Sequence, residues 1–78
     1  MKKLVEGKKY RMVFPIGSEV VAILDRIETY PASGMPNDFI FQYVSGDDGL
    51  AKASRLPSGM FPLPGLLLPL LSSLEEVE

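Results

Sequence analysis

The residues able to do chemistry are few and poorly grouped. Asp47 and Asp48 stand side by side in Gly46-Asp47-Asp48. Paired carboxylates in a turn after an apolar strand are one way to hold Mg²⁺ for nucleotidyl transfer. That chemistry also needs a third ligand and a base that handles phosphate, and neither is present; Asp-Gly is in any case ordinary hairpin-turn chemistry. Nucleophilic catalysis needs a serine or cysteine beside a base. The chain has no cysteine and no histidine, and none of its serines sits in Gly-x-Ser-x-Gly or Ser-x-x-Lys. Its glycines are spread singly, so no Gly-x-x-x-x-Gly-Lys-Ser/Thr loop exists to cradle a phosphate. No catalytic residue, no metal site and no cofactor are expected, and the chain reads as no enzyme.

Binding chemistry has two candidates. The first is a basic head, Lys8, Lys9 and Arg11, near Tyr10 and the aromatic series Phe39, Phe41, Tyr43. Stacking aromatics with a cationic rim can hold nucleic acid. The buried face of a small sheet needs the same aromatics. The net charge is −2, and Asp25, Glu28, Asp38, Asp47 and Asp48 would repel a phosphate chain. A nucleic-acid binder is therefore the alternative and not the leading reading.

The second candidate is the C-terminal quarter. Met60-Phe61-Pro62-Leu63-Pro64-Gly65-Leu66-Leu67-Leu68-Pro69-Leu70-Leu71 is wholly apolar apart from its prolines and one glycine. Burying a leucine is worth roughly 1.5–3 kcal/mol, so this run must be covered by the chain, by a copy of it or by a partner. Its prolines preclude a long helix, and no two of them have Pro-x-x-Pro spacing. Met60, Phe61, Leu63, Leu66, Leu67, Leu68, Leu70 and Leu71 are the expected partner-binding or oligomer-binding residues. Association is favoured over docking in cis, because a small barrel has little spare apolar face. The expected role is a protein-interaction module, an accessory or modulatory factor whose barrel and arm dock to a protein partner or a second copy.

The elements that would position these residues follow from punctuation and period. Tyr10, Met12 and Phe14 alternate with Lys9, Arg11 and Val13, which predicts a half-buried strand ended by Pro15-Ile16-Gly17-Ser18. Glu19–Tyr30 fits helical spacing at Val20, Ile23, Leu24 and Ile27, but its β-branched content favours a strand that bulges near Asp25. Residues 31–37 read as a loop, and Asp38–Val44 as a strand with Phe39, Phe41 and Tyr43 on one face. Ser45–Gly49 reads as a hairpin turn, with Leu50–Leu56 pairing back as a fourth strand. Beyond it, Leu66–Leu68 or Pro69–Glu76 has room for a helical turn or two.

This order, from Gly7 to Pro57, resembles the small bent sheets and partly open barrels of the SH3-like and Sm-like kind. The expected class is mainly β: about four to five strands in a small bent sheet or barrel over residues 1–59, with a Pro/Leu-rich arm over 60–78. A chain of this size has no disulfide or imidazole metal site to staple it, so its stability rests on apolar packing. Met1-Lys2-Lys3 is like a signal n-region, yet no apolar stretch follows before Lys8 and Lys9. The charge-free run from Leu56 to Leu74 is too broken by proline and glycine for a spanning helix. A cytoplasmic location is expected, and neither nucleic acid nor membrane is the expected partner.

Overall fold

Alternation in Lys9–Val13 makes β1, with Tyr10 and Met12 buried and their neighbours half exposed. The computed structural model describes residues 4–30, 35–56 and 58–78. After β1 come β2 (Glu19–Tyr30), β3 (Met35–Gly46), α1 (Gly49–Ala53), β4 (Met60–Pro64), a 3₁₀ turn (Gly65–Leu70) and β5 (Ser73–Val77). The five strands are antiparallel in one sheet of order β4-β3-β2-β1-β5. The sheet is not closed: β4 and β5 are its edges.

The β1–β2 turn is built by two residues with restricted or special backbones. Phe14 N–H donates to the Ser18 carbonyl and Gly17 N–H to the Phe14 carbonyl, each at 2.8 Å. That is a three-residue hairpin loop in which Pro15 supplies the fixed φ of the first corner and Gly17, at φ +95°, the left-handed residue. The apex is Ile16.

Glu19–Tyr30 is a strand throughout, and its pairing with β3 steps out of register where Asp25 intervenes between Leu24↔Phe41 and Arg26↔Ile40. A second step leaves Val44 of β3 unpaired, between Val21↔Ser45 and Ala22↔Tyr43. The Asp25 bulge moves the inward phase from Val20, Ala22 and Leu24 to Ile27, and such bulges sharpen local twist. The bent sheet thereby wraps one core of Tyr10, Met12, Val20, Ala22, Leu24, Phe41, Phe61 and Leu63, joined by Leu4 and Leu68. Phe41 and Phe61 stack across β3 and β4 with centroids 5.8 Å apart. The buried Tyr10 hydroxyl accepts the Val5 N–H at 2.8 Å, and no buried side-chain polar atom among the described residues lacks a partner.

Three local expectations are corrected. The Ser45–Gly49 hairpin and the strand over Leu50–Leu56 do not form; β3 ends at Gly46 and α1 follows. Leu50-Ala51-Lys52-Ala53 are good helix formers, and Lys52 reaches back to Asp48 at 3.3 Å in an i,i+4 pair. The strand that pairs with β3 is instead β4. Ser73–Val77 is a strand and not a helical turn, because Leu74 faces Met12 and Glu75 faces Arg11 across β1. Of the expected loop, Met35–Asn37 open β3, while residues 31–34 lie outside the described residues.

Residues 60–78 thus contribute two of the five strands. The Cα radius of gyration, 11.9 Å, is close to the ~11.5 Å of a compact chain of this length, in keeping with a stretch built into the sheet.

Candidate functional site

The 3₁₀ turn sorts the apolar run by its period of three. Gly65, Leu68 and Leu71 fall on one face, with Leu68 buried and Leu71 packed against the core. Leu66, Leu67 and Leu70 point away; Leu66 is 69% exposed and Leu70 63%. In β4, Phe61 and Leu63 are core and Met60 is half-buried. The eight residues read from the sequence as partner-binding therefore divide. Phe61, Leu63 and Leu68 are inside, Met60 and Leu71 are partly covered, and Leu66, Leu67 and Leu70 are presented to solvent.

These exposed leucines do not stand alone. The β1–β2 loop lies beside them, so Leu67, Leu70 and Leu71 form a hollow of about 200 Å³ with Phe14 and Pro15. On the other side of Phe14 and Pro15 is a larger hollow of about 420 Å³, walled by Ile16, Val20 and by Leu50 from α1. The two hollows share the Phe14–Pro15 ridge and make one apolar face. Ile16 is 88% exposed at its crest. Phe14, Pro15, Ile16 and Leu50 were not singled out in the sequence; the available signal was an isoleucine between proline and glycine, where a turn apex is ordinarily polar.

Asp47 sits at the rim of the larger hollow. Its Oδ1 accepts the Gly49 N–H at 2.8 Å. That bond, followed by one from the Ser18 hydroxyl, holds its carboxyl below the usual aspartate range against an opposing effect of burial. Asp48 is engaged with Lys52, and no group of three or more His, Cys, Asp or Glu among the described residues is placed to hold a metal ion.

The basic head is surrounded by acid. Arg11 lies 3.0 Å from Glu75 and 3.4 Å from Glu19, and Lys8 lies 4.0 Å from Glu76. The Arg11 guanidinium is pushed above its ordinary value, first by its hydrogen bond to Glu75 and then by the charges of Glu75 and Glu19. Lys9 is in register between Ile23 and Val77 on the outer face of the sheet. The aromatics expected beside this head face inward. Tyr10 and Phe41 are buried, and Phe39 and Tyr43 pack against the core.

The chain matches no model of a known family, no curated protein and no solved structure. Among the described residues no helix is long and apolar enough to cross a membrane.

Proposed function

We propose that this chain is a non-enzymatic protein-interaction module that docks through the apolar face on Phe14, Pro15, Ile16, Leu50, Leu67 and Leu70. The observation carrying this is that large apolar side chains from three separate elements, the β1–β2 loop, α1 and the 3₁₀ turn, converge on one exposed surface. Single exposed leucines are unremarkable on a protein surface, but a contiguous apolar face with two hollows is the ordinary mark of a binding site. The four-strand meander, completed by a 3₁₀ turn and a fifth strand that returns to β1, supports an SH3-like or Sm-like arrangement. Such a scaffold says little about function by itself. The nucleic-acid alternative is disfavoured by the acidic partners of Lys8 and Arg11 and by the inward aromatics.

The test is a paired capture from the native host with the intact chain and with Leu67→Glu/Leu70→Glu, both checked for an unchanged thermal melt. A partner retained by the first and lost by the second supports the reading. The same partners on both, or nucleic acid recovered in place of protein, overturns it.

A further inference from the structure

The two hollows differ in charge, and the difference bears on what the partner carries. The smaller is entirely apolar. The larger has one ionised group at its rim, Asp47, whose carboxylate is oriented by the Gly49 N–H. That donor does not exhaust a carboxylate, which has about four lone-pair positions. Neither hollow is lined by a lysine or arginine. Nearby cations are committed elsewhere: Arg11 to Glu19 and Glu75, Lys52 to Asp48.

Asp47 is exposed at this hollow, and an apolar partner seated there takes part of its water away. Losing that hydration without a further donor is unfavourable, so an occupant with a cation at this point is favoured. A second copy would bring another Asp47 and no cation to the same face, setting like charges together. We infer that the face receives a basic amphipathic segment of another protein, with an apolar side chain in each hollow astride the Phe14–Pro15 ridge and a lysine or arginine at Asp47. This rests on the docking reading above and gives it a partner chemistry.

The test uses the full ¹⁵N-labelled chain and four synthetic peptides of one length, patterned at helical spacing with Leu/Lys, Leu/Gln, Leu/Glu or Ser/Lys. Amide shifts on titration locate and quantify binding. The Leu/Lys peptide should bind tightest and shift Phe14, Ile16, Leu50 and Leu67. Asp47→Asn should weaken it by about 2- to 5-fold and leave the Leu/Gln peptide unaffected. Added salt should weaken the Leu/Lys peptide more on the unaltered chain than on Asp47→Asn, because the pair that salt screens is absent from the variant. Equal binding of the Leu/Lys and Leu/Gln peptides, both at this face, overturns the cation and leaves the docking reading standing. No shift at this face with any peptide overturns both. A mass that doubles with concentration and reverts on Leu70→Glu shows a second copy on the face and overturns the inference.

Discussion

Replacing Phe61 by alanine separates two roles that one apolar run was expected to share. Phe61 is 1% exposed and stacks on Phe41 with an interplanar angle of 21°. Truncating such a phenylalanine costs about 3–5 kcal/mol, from lost transfer energy and the cavity left behind. At roughly 0.05–0.15 kcal/mol per residue, a domain of this size has only about 4–12 kcal/mol in total. Phe61→Ala should therefore remove much of the stability and lower the melting temperature by on the order of 20 °C. Leu66, five residues on, is mostly in water, and Leu66→Ala should stay within about 0.5 kcal/mol of the parent. Urea titrations followed by circular dichroism, with m-values compared, give both numbers. A Phe61→Ala protein within 1 kcal/mol of the parent, or a Leu66→Ala protein equally damaged, would refute the division of the run into core and surface (the threshold is about a quarter of the expected effect).

Further outcomes follow from single residues. Gly46 has φ +91° and a Cβ there would run into the Glu19 carbonyl oxygen, so Gly46→Ala should cost about 2 kcal/mol or more in the same urea assay. Because the fold holds the Asp47 carboxyl below its usual range, the unfolded chain binds that proton first as pH falls. The stability it contributes is full above about pH 4 and lost as pH drops through the folded value, so Asp47→Asn should flatten the acid limb of a plot of urea midpoint against pH. Parallel limbs for the two proteins would remove that role. Nucleic acid should bind only weakly at physiological salt in an anisotropy assay; sub-micromolar binding lost on Lys8→Glu/Lys9→Glu would restore the alternative function.

Much of the sheet was legible because its period is simple. Tyr10 and Met12 alternate inward, Phe39, Phe41 and Tyr43 share the core face, and the β-branched stretch around Val20–Ile27 outweighs its helical spacing. Asp25 marks the bulge because a charged residue interrupts an apolar strand face. The C-terminal quarter was harder for a physical reason. Proline usually argues against a strand, yet Pro62 and Pro64 alternate with Phe61 and Leu63, and at a sheet edge a missing N–H costs no ladder bond on the solvent side. The prolines suggest an arm by their rigidity, although the same residues suit the edge position of β4. Likewise, Ala51, Ala53 and Ser54 suit close strand packing as well as a short helix, and the Asp48–Lys52 spacing was the signal for α1. The apolar face was illegible because it is assembled from residues 14–16, 50, 67, 70 and 71, and only the return of the chain brings them together.

That return has a kinetic side. The β1–β2, β2–β3 and β3–β4 pairings join neighbours in sequence, whereas β5 must come back to β1 across an Arg11–Glu75 separation of 64 residues. Closing that span costs about 2.5 kcal/mol more entropy than closing the β1–β2 loop. The four-strand meander can be assembled from neighbouring pairings without the last strand, so β5 is expected to act as a latch that opens before global unfolding. Native-state hydrogen exchange should find the amides of Ser73–Val77 opening at lower free energy than those shared by β2 and β3; equal protection would mean that the latch and the meander are one cooperative unit. Transient opening of this latch would also loosen the leucines just before it. Under the docking proposal, the affinity of that face should then depend on how firmly β5 is seated.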